Sequence, residues 1–307
     1  MDGEAGEEGG REGGTERNAA SRADSPSAVS TRTLPFLGLQ PTHNEFRWTL
    51  PVAQSICTWS GNLFGGAGLA AAIEAMEAVS GRPVIWATGQ YLSFVKAGSI
   101  LDLDVTLAVH GKATTQARVV VRHGNSEILT VNGALGSRTT DAEGSFAVMP
   151  EVARPEDCIE RRHRFGTMNT INELFESRIA IGRDLDDLDG VPAADGRSAM
   201  WARLPDGGAS TAAGLAILGD FVPFGIGQAL GARAGGSSLD NTLRLIRLVP
   251  TEWVLCDIRV HGIHHGFGHG LVHLWAEDGT LMASASQSTT VRYWSEMGGP
   301  RRDNSPV

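Results

Sequence analysis

The fold is decided by FGGAGLAAAIEAMEAV (residues 64–79) and by the segments that follow it. Leu69, Ile73, Met76 and Val79 recur at helical spacing and form one apolar stripe, which predicts a single helix. A helix followed by an antiparallel meander is expected, because the pattern then changes to a period of two between turn residues. The strand candidates are VIWATGQYLSFV (84–95), LDLDVTLAVHG (101–111), TTQARVVVRHGN (114–125) and SEILTVNGAL (126–135).

The second half of the chain repeats this order of elements. SAMWARL (198–204) is a strand candidate, a helical stretch runs from about Ser210, and four further strand candidates lie between residues 242 and 294. Ala-Val-His-Gly at 108–111 matches Arg-Val-His-Gly at 259–262, and counting eight residues on from Gly124 and Gly279 aligns Asn132 with Gln287. The repeat predicts a tandem α+β fold of two similar units, with chance similarity between two α+β domains as the alternative.

Composition sets the expected domain boundaries. Residues 1–33 have almost no large apolar side chain and predict a disordered tail, and residues 297–307 predict a second one. Residues 141–166 carry proline, glycine and charge without periodicity, which indicates a linker. The N-terminal domain is therefore expected at 34–140 and the C-terminal domain at 167–296.

The bulk properties exclude several classes of function. A net charge of −9 and a pI near 5.5 argue against nucleic-acid binding. Three dispersed cysteines suggest neither a disulfide framework nor a zinc knuckle and fit a reducing compartment. With no run of eighteen apolar residues and no basic-then-apolar N-terminus, we expect a cytoplasmic protein without membrane insertion.

One carboxylate stands out in GLAILGDFVPFG (214–225). Asp220 is the only charged residue between Asp206 and Arg233, and apolar side chains occupy every face of its helix. Burial disfavours the charged form of a carboxyl group and raises its pKa toward the range that suits a general base. The alternative is a structural role in which Asp220 binds backbone N–H groups near a helix break at Pro223.

Ser238 and Gln287 are candidate partners of this carboxylate, because both side chains donate and accept the hydrogen bonds that orient a water molecule. Taken singly, each is an ordinary strand residue. Gly65 and Gly66 open the first helix, where backbone N–H groups stabilise a developing oxyanion. Simple helix-entry geometry against a packed sheet explains these two glycines equally well.

Metal and covalent chemistry are not favoured. Five histidines crowd a glycine-rich hairpin, but without the cysteine or carboxylate partners of common zinc motifs. They are His261, His264, His265, His269 and His273. The chain contains no GxSxG elbow, and Cys256 lies in a predicted strand with no activating neighbour. We expect no metal ion and no cofactor.

These residues resemble the type II acyl-CoA thioesterase family, a double-hotdog family, over about residues 35–294. The first half has Leu-Phe-Gly-Gly at the helix start, and the second has Met-Trp-Ala-Arg at 200–203, Gly-Asp at 219–220 and Ser-Leu-Asp at 238–240. Glu-Trp at 252–253, Asp-Gly-Thr-Leu at 278–281 and Ala-Ser-Ala-Ser-Gln at 283–287 continue the likeness. The resemblance implies an α+β double hotdog and an acyl-CoA substrate, with Asp220, Ser238 and Gln287 as the catalytic group. Asn241 departs from the histidine of many relatives.

The expected activity is hydrolysis of acyl-CoA by a water that Asp220, Ser238 and Gln287 activate. Glu74 and Glu77 predict an ordinary polar face on the first helix, so catalysis is assigned to the C-terminal domain, with scaffolding and binding left to the N-terminal one. By fold analogy a homo-oligomer is expected. The main alternative is a non-catalytic acyl-CoA or lipid-binding protein; a hydratase is disfavoured because its Asp…Asn…His signature is missing.

Overall fold

The computed structural model describes residues 33–162 and 169–295. The two predicted disordered tails, except for residue 33, lie outside these ranges. The helices are α1 (Gly65–Ser80), α2 (Ile171–Leu174), α3 (Ala212–Leu218) and α4 (Val222–Leu230). Strands of the first half are β1 (Gln40–Pro41), β2 (Arg47–Pro51), β3 (Val84–Tyr91), β4 (Ile100–His110), β5 (Thr114–His123) and β6 (Ser126–Gly136).

The second half contributes the remaining strands. They are β7 (Ile159–Glu160), β8 (Glu176–Ile181), β9 (Arg197–Arg203), β10 (Ala234–Gly235), β11 (Ser238–Leu245), β12 (Val254–His264), β13 (Phe267–Ala276), β14 (Leu281–Thr290) and β15 (Arg292–Tyr293). The predicted α+β class and the predicted order of helix and meander in each half are confirmed. Strands β10 and β15 form a separate two-stranded ribbon.

The two halves share one antiparallel sheet. Among the described residues its order is β1-β2-β4-β5-β6-β3-β11-β14-β13-β12-β9-β8-β7. The halves join where β3 pairs with β11, from Gln90 opposite Asp240 to Trp86 opposite Arg244. On either side of this junction the strands follow in equivalent order, which confirms the internal repeat.

The helices pack face to face in one core that the sheet wraps. Helix α1 is buried along most of its length and contacts α3 more than any other helix. A side chain at Gly66 would place its Cβ 2.9 Å from the Cα of Ile217, so only glycine lets the two helices approach this closely. Small residues at the crossing therefore set the distance between the halves.

The long helical stretch of the second half is broken into two. Thr211 caps α3 by accepting the Gly214 N–H at 3.0 Å, and Pro223 occupies the first turn of α4. Asp220 lies in the break between them. The stretch Ala212–Leu230 is long and apolar enough to cross a membrane, but 78% of its apolar window is buried inside the protein. Burial to this extent is typical of a core helix.

The sheet register corrects the alignment of Asn132 with Gln287. Thr88 and Thr242 face each other across the junction, and they pair with Asn132 and Ser286 respectively. Asn132 is therefore equivalent to Ser286 and lies exposed on the outer face, whereas Gln287 is buried. The true counterpart of Gln287 is Gly133, one residue further on. Counting from the turn glycines missed this offset because a one-residue shift moves a side chain to the opposite face.

The expected polar face on α1 is also wrong. Glu74 is only 5% exposed, its Oε1 accepts the Leu34 N–H at 2.6 Å, and its Oε2 has no hydrogen-bond partner in the described chain. Glu77 accepts the Val84 N–H at 2.9 Å. Burial raises the pKa of Glu74 to about 7, against the lowering effect of the Leu34 hydrogen bond. The segment before β1 covers this face of the helix, which helical periodicity alone does not reveal.

The predicted linker at 141–166 contains a short helical turn, Pro155–Asp157, and β7, which pairs with β8. Its residues 163–166 lie outside the described ranges, and the described residues fall within one compact unit. The division into domains at 141–166 stays a prediction.

The burial of Glu74 makes the protein less stable as pH rises, whereas a carboxylate in a surface ion pair makes a protein more stable as pH rises. Its pKa in the folded protein, about 7, exceeds the ordinary value of 4.5, so the native state binds the extra proton. Stability should fall as pH rises from about 4.5 to 7, by up to roughly 3 kcal/mol. We expect Glu74→Gln to remove the share of this dependence due to Glu74, and to leave the share due to Asp220, in urea unfolding at pH 5 and pH 8. Glu45→Gln, at an exposed position with no ion pair among the described residues, is the control; an unchanged slope in Glu74→Gln contradicts the assignment.

Candidate active site

A cavity of about 500 Å³ lies where the two halves meet. The first half contributes Gly65 at the start of α1 and Tyr91 at the end of β3, and the second half contributes Asp220 and Ser238. Apolar side chains complete much of the wall, among them Phe64, Leu129, Ile179 and Phe224. Pockets of this size, largely apolar with few convergent polar groups, are typical of small-molecule sites.

The carboxylate of Asp220 accepts hydrogen bonds from three groups that lie far apart in the sequence. The Gly66 N–H donates to Oδ2 at 2.6 Å, and the Ser238 hydroxyl donates to Oδ1 at 3.2 Å. The Gln287 Nε2 donates to the same Oδ1 and to the Ser238 Oγ, the latter at 2.6 Å. The structure thus brings together all three predicted catalytic residues.

Burial dominates the electrostatics of Asp220, which is 3% exposed. Desolvation raises its pKa to about 7, while the hydrogen bonds from Gly66, Ser238 and Gln287 act in the opposite direction. A carboxyl group with this pKa exchanges its proton near neutral pH, as a general base requires. The three donors fix its orientation, and Oδ2 keeps acceptor capacity because it receives only one of them.

The two predicted glycines have different roles. The Gly66 N–H is already used to orient Asp220, so it differs from the predicted oxyanion donor. The Gly65 N–H lies at the first position of α1, where an N–H has no acceptor within its own helix, and Gly65 lines the cavity. A Cβ at Gly65 would lie 2.8 Å from Asp220 Oδ2 and 3.1 Å from the Tyr91 hydroxyl. Glycine therefore keeps open the space between these two groups.

Tyr91 is the site residue that sequence reasoning missed. Its hydroxyl oxygen is buried without a hydrogen-bond partner in the described chain, although the residue lines the cavity. Burial and the negative charges of Asp220 and Asp240 raise its pKa well above the ordinary value, so the phenol stays protonated and able to donate. In the sequence, Tyr91 is distinguished only by its place in a strand segment with several aromatic residues, and residues in such segments usually pack in the core.

Within the described part of the chain, which includes the histidine-rich hairpin, no group of three or more His, Cys, Asp or Glu side chains converges. His264 and His265 lie at the β12–β13 turn with ring centroids 3.9 Å apart. Cys256 is buried, and desolvation raises the pKa of its thiol, which disfavours the nucleophilic thiolate. Asn241, buried opposite Gln287, has neither amide atom hydrogen-bonded within the described residues.

Comparison with known proteins identifies a family model and a solved structure that this chain resembles. Residues 155–291 match the family model of the acyl-CoA thioesterase C-terminal domain. A candidate thioesterase from Novosphingobium aromaticivorans DSM 12444 is 32% identical, with a TM-score of 0.73 over 82% of this chain and 97% of the other. No match was found among curated protein sequences.

Two more distant structures agree on the architecture. A hot dog fold protein of unknown function from Alicyclobacillus acidocaldarius is 18% identical, with a TM-score of 0.72 over 88% of this chain and 96% of the other. Acyl-CoA thioesterase II TesB2 from Mycobacterium marinum is 20% identical, with a TM-score of 0.66 over 84% and 96%.

The fold and the match at 155–291 define a double-hotdog protein of the thioesterase class, as the sequence predicted. With a relative above 30% identity that is covered almost completely, the chain belongs to the acyl-CoA thioesterase family. As a member of this family, it is an acyl-CoA thioester hydrolase.

Proposed function

We propose that Asp220, Ser238 and Gln287 activate a water molecule that hydrolyses acyl-CoA to a free carboxylic acid and CoA. The observation that carries this proposal is the carboxylate of Asp220, which is buried at the cavity wall with three donors fixing its orientation. Its pKa of about 7 suits proton abstraction from water at neutral pH.

The reaction proceeds in two steps. Asp220 accepts a proton from water as the water oxygen bonds to the thioester carbon, and the carbonyl π electrons move onto the oxygen. When this tetrahedral intermediate collapses, the C–S bond breaks and its electron pair leaves with the CoA sulfur. A thiol has a pKa of about 8.5, so its thiolate leaves with little acid assistance and takes up the proton that Asp220 holds.

The oxyanion of the intermediate is bound by the Gly65 N–H and the Tyr91 hydroxyl. Both residues line the cavity beside Asp220, and a single Cβ position at Gly65 lies 3.1 Å from the Tyr91 oxygen and 2.8 Å from Asp220 Oδ2. A buried hydroxyl without a partner is costly to keep unless substrate supplies the acceptor. Tyr91 therefore donates to the charge that develops on the carbonyl oxygen.

A cytoplasmic location and a homo-oligomeric state remain part of the proposal. The three cysteines are free thiols, which suits a reducing compartment. Apolar side chains on strands beside the β3–β11 junction are exposed, including Leu239 at 40% and Phe267 at 43%, and a second copy would cover them. Light scattering of the purified chain reports the oligomeric state, and a monomer would contradict it.

Asp220→Asn should reduce kcat/KM for acyl-CoA by roughly 10²- to 10⁴-fold, because an amide cannot accept the proton. In the parent, kcat/KM should rise with pH and level off above about 7, since only the ionised carboxylate is a base. Thiol release from an acyl-CoA panel measures both. Asp206→Asn, at an exposed position, is the matched control. Equal rates for Asp220→Asn and the parent would refute the assignment, and a parent that releases no thiol would favour the non-catalytic binding protein.

Tyr91→Phe should lower kcat/KM by roughly 10²- to 10³-fold, mainly through kcat, because one oxyanion donor is lost. Its melting temperature should stay the same or rise, since the substitution removes a buried hydroxyl that has no partner. Tyr293→Phe serves as control, because Tyr293 is 46% exposed and is the only other tyrosine in the chain. If Tyr91→Phe retains full kcat, Tyr91 is structural.

A further inference from the structure

Arg161 presents a cationic group to the cavity without an anionic partner. It lines the cavity wall, and its Nη1 is buried with no hydrogen-bond partner in the described chain. Desolvation lowers the pKa of its guanidinium to about 10, and the neighbouring thiol of Cys256 is uncharged at neutral pH because burial raises its own pKa. At neutral pH the guanidinium remains charged.

Three of the other four cavity arginines differ from Arg161 because each contacts a carboxylate, and the fourth, Arg292, is exposed to solvent. Arg162 lies 3.5 Å from Asp184, Arg183 lies 2.8 Å from Asp189, and Arg233 lies 3.3 Å from Asp186. Within the described residues, no comparable carboxylate contact is formed by Arg161. A buried charge without a counter-ion is costly, so a site that retains one is suited to an anion that arrives with the ligand.

Aromatic rings hold the guanidinium in place. Its Cζ lies 4.7 Å from the ring centroid of Phe224 and 5.5 Å from that of Phe221. Cation–π contacts of this kind orient the planar group while leaving its N–H donors available for bidentate binding of a carboxylate. The backbone N–H of Arg161 donates to the Ser177 carbonyl at 2.9 Å, which anchors this part of the chain to β8.

An acyl-CoA substrate carries the phosphates of CoA and can also carry a carboxylate at the far end of its acyl group. The position of Arg161 favours the acyl carboxylate as its partner. Phe221, whose ring centroid lies 5.5 Å from the Arg161 Cζ, directly follows Asp220 in the sequence. The Arg161 neighbour Cys256 is fully buried in β12. The phosphates of CoA are strongly hydrated and are separated from the thioester by the long pantetheine arm, whereas the far end of a short acyl group lies only a few bonds from the thioester carbon.

We propose that Arg161 binds a carboxylate at the far end of the acyl group, so that the preferred substrates are CoA thioesters of dicarboxylic acids. This inference rests on the proposed hydrolytic function and adds the substrate class to it. The guanidinium donates charge-assisted hydrogen bonds to the distal carboxylate while Asp220 activates the water at the thioester. A methyl-ended acyl group leaves the guanidinium without an acceptor.

The test compares pairs of substrates that differ only at the far end of the chain, glutaryl against valeryl and adipyl against hexanoyl thioesters. In at least one of the two pairs, we expect the parent to have a kcat/KM for the dicarboxylyl ester that is roughly 10- to 100-fold higher than for its methyl-ended counterpart. Arg161→Met should abolish this preference by lowering kcat/KM for the dicarboxylyl esters to the level of their methyl-ended counterparts. Arg161→Lys should retain part of it, and Arg118→Met, on the outer face of the sheet, should retain all of it.

A second arm repeats the measurements with N-acetylcysteamine thioesters, which lack the phosphates of CoA. Arg161→Met should fold, because replacing an unpaired buried charge by an apolar side chain of similar length is neutral or stabilising. Glutarate or adipate alone should raise the melting temperature of the parent and not that of Arg161→Met. The preference for dicarboxylyl groups should persist in the N-acetylcysteamine series.

Each outcome decides the proposal. A parent that does not distinguish glutaryl from valeryl and adipyl from hexanoyl esters overturns it. It is also overturned if Arg161→Met slows all CoA esters equally but leaves the N-acetylcysteamine esters unchanged, since Arg161 would then bind a CoA phosphate. Loss of all thioester hydrolysis in the parent would instead refute the proposed function, which the valeryl-CoA rate reports independently of Arg161.

Discussion

The burial of one carboxylate at the break between two apolar helices is the constraint on which the rest of the structure depends. Asp220 is 3% exposed, and a buried carboxylate is stable only where hydrogen bonds compensate for lost hydration. The break between α3 and α4 exposes the carboxylate to side-chain donors that a continuous helix would not reach. Ser238 and Gln287 approach from neighbouring strands β11 and β14, and Gly66 approaches from the other half.

This last contact means that neither half holds a complete site. Gly66 and Asp220 are separated by 154 positions in the sequence, and they meet because α1 packs against α3. Glycine at position 66 is required for that approach, since a Cβ there would lie 2.9 Å from the backbone of α3. The first half also supplies Gly65 and Tyr91 to the cavity. The first half therefore contributes both to the cavity wall and to the orientation of Asp220.

The two halves have kept the same fold and diverged at equivalent positions. Where β14 carries Gln287, β6 carries Gly133, and a Cβ at Gly133 would lie 3.1 Å from the Met76 side chain. An apolar contact thus replaces the polar group of the second half. The first half retains a buried carboxylate in Glu74, but its partner is the backbone N–H of Leu34 and it does not line the cavity. One fold accordingly supports two different uses of a helix carboxylate.

The sequence by itself determined the class of fold, the internal repeat and the group of Asp220, Ser238 and Gln287. Period-two alternation marks strands, and a single charge among apolar residues marks burial, so both are readable locally. Only the tertiary structure decided that Gly66 orients Asp220 and that Tyr91 and Arg161 reach the cavity. It also decided that Asn132 faces outward and that Glu74 is buried. These features depend on helix crossing, on a one-residue register and on the covering of α1 by the chain before β1. All three are set by contacts between residues distant in sequence, which periodicity does not encode.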